Sequence, residues 1–298
     1  MGLSDAAQTT IIRATRCPKE ELSLFGGETS AEAVRTIGGV VIFRKYGDKD
    51  DLEKKQAIQQ EIDIMRNLSH PNIVSLFEGP VPEDIEAPVL ALEFLDGMSL
   101  DKFSTDKVST LPPLLVHRLL RTVPSVLVYM LEQEIEHNDI RIENIVLCTQ
   151  GFKLIDFGLA RRGADRYVWR DGVSRYAPPE LQKRSEALVY GARDVMAFGI
   201  IIFWALRWMN TPMGESWIVS QAIDPGPEHD DMATWLAHVR SSSIELPSSL
   251  NQLTGLFEEK PELRMTAVTL DQIAQKVEKA CIPAAIEMGE LVRANYEW

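Results

Sequence analysis

The stretch that decides the fold begins His137-Asn138-Asp139-Ile140-Arg141-Ile142-Glu143-Asn144 and ends, beyond a short hairpin, in Asp156-Phe157-Gly158. The hairpin reads as strands over Asn144–Leu147 and Phe152–Ile155 around a Thr149-Gln150-Gly151 turn. Two acids and an amide therefore stand at the ends of apolar strands. Such a set can converge on Mg²⁺, which takes oxygen ligands and commonly combines carboxylates with substrate phosphates. A lone Asp-Phe-Gly carries little information. Its combination with His-x-Asp-x₄-Asn and the hairpin is specific.

Working outward, the residues before this stretch divide into two periods. Ala33–Ile37 and Val40–Phe43 flank Gly38-Gly39, a pair suited to a two-residue hairpin turn, and Glu21–Phe25 is a further short strand. From Asp51 to Leu68 the apolar residues Leu52, Ala57, Ile58, Ile62, Met65 and Leu68 fall at helical spacing. Ile73–Phe77 and Val89–Phe94 return to strand, and Pro112–Glu134 is a long Leu- and Val-rich helix. Past Pro179 helices dominate, at about 180–185, 194–208, 231–240, 249–257 and 267–293. The reading is α+β, one domain over 1–298 with a small β-rich lobe (about 20–95) and a larger helical lobe (about 98–298).

Composition bounds the function. The chain has 298 residues, 45% of them hydrophobic and 25% charged, enough for a real core. A net charge of -13 makes nucleic acid and anionic lipid surfaces poor partners. Three scattered cysteines, Cys17, Cys148 and Cys281, form neither a disulfide framework nor a zinc site. The apolar run Val195–Leu206 is too short to span a bilayer, and no charged-then-apolar leader opens the chain, so a cytosolic location is the expectation.

These motifs resemble the protein-kinase family over about Leu24–Ala274. The resemblance implies ATP and Mg²⁺ (or Mn²⁺) as cofactors and a protein substrate. It makes Asp139 the catalytic base, Arg141 a neutraliser of the transferring phosphate, and Asn144 and Asp156 the metal ligands. Glu61, in Glu-Ile-Asp-Ile-Met-Arg-Asn-Leu-Ser-His-Pro-Asn-Ile-Val, becomes the ion-pair partner of a base on the third strand. Met65, Leu76, Phe157 and His137 match an apolar column. Leu92-Glu93-Phe94-Leu95-Asp96-Gly97 is similar to the hinge that binds adenine through its backbone, with Leu92 the gatekeeper and Val146 closing the adenine from below. Tyr176-Ala177-Pro178-Pro179-Glu180 resembles the end of the activation segment, Asp194–Gly199 the start of a buried helix, and Arg264 the partner of Glu180. Small-molecule kinases generally lack these last three features.

The sequence also departs from the family. The glycine loop reads Gly26-Gly27-Glu28-Thr29-Ser30-Ala31-Glu32-Ala33-Val34. Counted back from Val34, Gly27 alone matches; shifted by one, Gly26 and Ala31 fit with Glu28 between them. The third-strand base is either Arg44, with Ile42 facing adenine, or Lys45, with Phe43 there. Arg44 is the better fit, because Lys45 would turn Arg44 into the core. Asn138 replaces the Arg that receives a phosphorylated activation loop. Ser174 is the sole Ser or Thr between Asp156 and Glu180, and sits near the substrate-docking end. Trp217 and Trp235 flank an acidic stretch and read as core. A Ser/Thr protein kinase is the leading reading, Glu143 before Asn144 favouring Ser/Thr over Tyr. A non-catalytic pseudokinase and a small-molecule phosphotransferase are the alternatives.

Overall fold

The computed structural model describes residues 31–35, 41–46, 52–77, 89–105, 108–163, 174–182, 189–210, 222, 224–242 and 246–294. Gly26, Gly27, Glu28, Gly38, Gly39, Cys17, Tyr167 and Trp217 lie outside the described residues. In chain order the strands and helices begin Ala31–Arg35 (β1), Val41–Tyr46 (β2), Leu52–Met65 (α1), Val89–Glu93 (β3), Gly97–Ser99 (β4), Ser104–Thr105 (β5) and Val108–Ser109 (β6). Then come Pro113–Glu132 (α2), Ile135–Glu136 (β7), Ile145–Cys148 (β8), Gly151–Leu154 (β9) and Arg161–Arg162 (β10). Pro179–Gln182 (α3), Ala192–Ala205 (α4), Pro227–Ser242 (α5), Ala267–Lys276 (α6) and Cys281–Ala294 (α7) complete the order. The chain divides into two compact units, one of Met1–Met98 with Val146–Gly158 and one of Ser99–Ile145 with Leu159–Trp298. The first is sheet-rich and the second largely helical, the expected α+β arrangement. The 146–158 hairpin belongs with the first unit.

In the first unit, β1, β2 and β3 form an antiparallel sheet in that order. Helix α1 buries Ile58, Glu61, Ile62 and Met65, a stripe at helical spacing. Leu52 and Ala57 extend that period in sequence but are exposed in the structure. The segment expected as a strand over Ile73–Phe77 is reduced to two bridges, Ile73 with Leu154 and Leu76 with Leu92. It still stitches two sheets together: Val74 N–H donates to Leu154 O (2.9 Å), and Glu93 N–H to Ser75 O (3.0 Å). At Gly97 a Cβ would lie 2.2 Å from the Leu147 carbonyl oxygen, so the close approach of β4 to β8 requires glycine.

In the second unit α4 is the core. Phe198, Phe203 and Trp204 on it are fully buried, as is Trp208 just beyond, and Phe203 meets Phe257 edge-on at 4.8 Å. Apolar residues all round make a helix that must be surrounded by protein. Helix α2 packs on α4, α6 and α7. Among the described residues it is the one helix long and apolar enough to cross a membrane; Val116, Leu119, Leu120, Val123, Val126, Leu127 and Met130 are buried in this unit. The long helix expected over 267–293 is two, α6 and α7, broken at Val277, whose extended backbone (φ -65°, ψ 121°) ends α6. The helix expected at 249–257 is a 3₁₀ segment, Asn251–Phe257. Trp235 is buried as expected, and its indole N–H donates to Arg175 O at 2.8 Å.

Candidate active site

The loop from His137 to Asn144 alternates. Ile140 and Ile142 are buried anchors, which leaves Asp139, Arg141 and Glu143 partly exposed. Two side chains hold its backbone. Asp194, in the first turn of α4, accepts His137 N–H (2.7 Å) and Asn138 N–H (2.8 Å). Buried His137 accepts Asp139 N–H through Nδ1 at 3.2 Å. Asn138 has φ 65°, a left-handed conformation that Asn tolerates better than most residues. Its side-chain N–H reaches Leu159 O at 3.4 Å.

Asn144 donates from Nδ2 to both Asp139 O (2.9 Å) and Asp139 Oδ2 (2.8 Å). Its nitrogen is thus spent on the loop, and the amide oxygen remains for a cation. The Arg141 Nε lies 3.3 Å from Glu143 Oε2 and 4.0 Å from Asp139 Oδ2. Burial pushes the Glu143 carboxyl above its ordinary value, with Arg141 pulling it back. The loop therefore presents a carboxylate, a guanidinium and an amide oxygen on a rigid backbone, as proton transfer next to an anionic group requires.

In the first unit, Asp156 has φ 63°, a strained value for a non-glycine residue. Gly158 N–H approaches its Oδ1 at 3.4 Å. A Cβ on Gly158 would lie 3.3 Å from that oxygen and 3.7 Å from Glu61 Oε2, so Glu61 and Asp156 gather around one glycine. Phe157 and Met65 are buried in this unit. Asp156 carries a hard oxygen of the kind Mg²⁺ takes.

Strand register divides the remaining candidates. Arg44 pairs with Glu32 and Ala91, and Ile42 with Val34 and Glu93. Lys45 pairs with Ala31 and Leu90, and Phe43 with Ala33 and Leu92. The hinge candidates Leu92 and Leu95 are buried, as is Val146, while Glu93 is half-buried. Glu32, which occupies a glycine position of the loop, is the register partner of Arg44.

Sequence reasoning missed Glu136. It belongs to the two-residue strand β7, paired with Arg161 of β10, and its Oε1 accepts Gly191 N–H at 2.6 Å. A charged residue beside buried Ile135, just ahead of the loop, was the available signal. Burial, reinforced by Asp194, raises its carboxyl from about 4.5 to about 7, against the opposing pull of the Gly191 N–H and Arg193. Between those values the folded chain keeps a proton that the unfolded chain has lost. The contribution of Glu136 to stability is therefore greatest below pH 4.5 and is lost as pH rises through about 7, by about 3 kcal/mol. Glu136→Gln should flatten that slope, measured as urea midpoints across the same range.

The protein kinase domain model matches residues 31–276, and the chain belongs to that family. A probable serine/threonine-protein kinase of Dictyostelium discoideum is 26% identical over 305 residues, covering 91% of this chain and 56% of that protein. Another from the same organism is 31% identical over 168 residues, covering 50% of this chain and 17% of its own length. The inhibitor of nuclear factor kappa-B kinase subunit alpha of Gallus gallus is 33% identical over 156 residues, covering 48% of this chain and 20% of that protein. The chain thus spans only part of the length of these relatives. Arg264 and Glu180 meet as the family resemblance implied, in a two-pronged pair at 2.7 and 2.8 Å.

Proposed function

We propose that this chain transfers the γ-phosphoryl group of ATP, with Mg²⁺, to a Ser or Thr hydroxyl of a protein. The observation that carries the reading is the loop around Asp139. Its backbone is clamped by Asp194, and its carboxylate is aligned by Asn144. Asp139 accepts the proton of the substrate hydroxyl as that oxygen attacks the γ-phosphorus, and the bond to the bridging oxygen breaks to release ADP. Arg141 offsets charge on the transferring group. Asn144 and Asp156 are the residues that would hold Mg²⁺, which supplies neutralisation of the phosphates when bound. The 174–180 segment and the Arg264–Glu180 pair favour a protein substrate over a small molecule, and the charge of the chain disfavours nucleic acid.

The test is nucleotide-induced melting. ATP with Mg²⁺ at 100 times its Kd should stabilise the fold by about 2.7 kcal/mol, a visible shift over metal alone. No shift at millimolar ATP, with no ³²P transfer, would leave a non-catalytic binding protein. The same assay separates Arg44 from Lys45. Arg44→Ala should weaken the ATP response about tenfold or more while Lys45→Ala changes it little. The opposite pattern would give the phosphate contact to Lys45.

A further inference from the structure

Lys153 lies in the middle of a buried stretch. It is 5% exposed, between Phe152, Leu154 and Ile155 at 2% each. An apolar side chain would fill that position without desolvating a charge. Instead the ammonium lies 2.5 Å from Glu93 Oε1 and 3.4 Å from the Ile73 carbonyl oxygen. The same Glu93 oxygen accepts Ser75 N–H at 2.9 Å. An ion pair with one partner enclosed and the other half-buried is a poor device for stability alone, since well-packed apolar residues commonly do as well. What the pair does fix is a spacing within the first unit. Lys153 is on β9, just ahead of Asp156, and Glu93 ends β3 and begins the Glu93-Phe94-Leu95 peptide. The 73–76 segment, hydrogen-bonded to Leu154 on one side and Glu93 on the other, lies between them.

We propose that Lys153 is a positioning residue for nucleotide binding, which sets the Glu93–Leu95 peptide at a fixed distance from the Asp156 carboxylate. The proposal rests on the kinase reading above, in which that peptide meets adenine and Asp156 meets the phosphates through Mg²⁺. Both ends belong to one ligand of fixed length, so their spacing enters affinity directly. Lys153 touches no nucleotide and acts through Glu93.

The test uses the full chain with Lys153→Met, Lys153→Arg and the double variant Lys153→Met/Glu93→Gln. Three quantities are read: melting temperature without ligand, the ATP concentration for half-maximal melting shift in Mg²⁺, and KM for ATP against kcat in ³²P transfer. Lys153→Met should raise both KM and the half-maximal ATP concentration by about ten- to a hundredfold, with kcat moved much less. Lys153→Arg should restore most of the loss. If Lys153→Met fails to fold, the double variant decides, because it leaves no unpaired carboxylate ion behind; it too should show the raised KM. Wild-type affinity in the folded variants, or equal losses in kcat and kcat/KM, would overturn the assignment while leaving the kinase reading intact. A wild-type chain that does not respond to ATP and Mg²⁺ would overturn both.

Discussion

Asp139→Asn should lower the rate of phosphate transfer by about 10²- to 10⁴-fold, the range lost with a general base. The substitution keeps the shape of the side chain and an oxygen for Asn144 Nδ2, which now donates at 2.8 Å. The backbone clamp on Asp194 does not involve the Asp139 side chain. Melting temperature and the ATP response should therefore stay close to wild type, and the loss should fall on kcat. Rapid-quench transfer from ³²P-labelled ATP under saturating nucleotide measures it. A variant that retained most of its transfer rate would show that another group takes the substrate proton.

Arg264→Ala should cost about 3–5 kcal/mol of stability, because it leaves the Glu180 carboxylate buried without its cation. The guanidinium is completely enclosed, and Glu180 is 5% exposed at its side chain. Besides the two-pronged pair, Arg264 donates to Ala192 O (3.2 Å) and Glu258 O (3.0 Å), so one side chain ties α3 to the start of α4 and to the 258 turn. Replacing both partners by apolar residues, as in Arg264→Met/Glu180→Leu, should recover much of the loss in a urea titration. If the single variant were as stable as wild type, the pair would be a bystander to the fold.

The fold was largely legible because its signals are local. Asn144 and the Asp156-Phe157-Gly158 turn stand beside strands with clear apolar character, and the alternation Asp139-Ile140-Arg141-Ile142-Glu143 is the same alternation that buries the two isoleucines. The apolar content of 195–206 announced a surrounded helix. Less legible were elements whose limits depend on neighbours. Ile73–Phe77 has strand composition but finds partners at only two positions. Leu52 and Ala57 continue a helical period past the edge of what there is to pack against.

Residue identity and spacing picked out Asp139, Asn144 and Asp156 as candidates, and the resemblance to the protein-kinase family supplied the roles proposed for them, for Arg141 and for Glu61; the Glu180–Arg264 partnership it also implied is met in the structure. Chemical type is a property of each residue, and spacing along short loops and strands constrains where they can stand. Only tertiary structure decided which side chains hold those groups in place. Asp194 reaches His137 and Asn138 across 57 and 56 residues of chain, and Lys153 reaches Glu93 across 60. The strained φ of Asn138 and Asp156 and the raised carboxyl of Glu136 likewise arise from packing. Those are consequences of what surrounds a residue in space, and contacts across so many residues leave no period or motif for a single sequence to display.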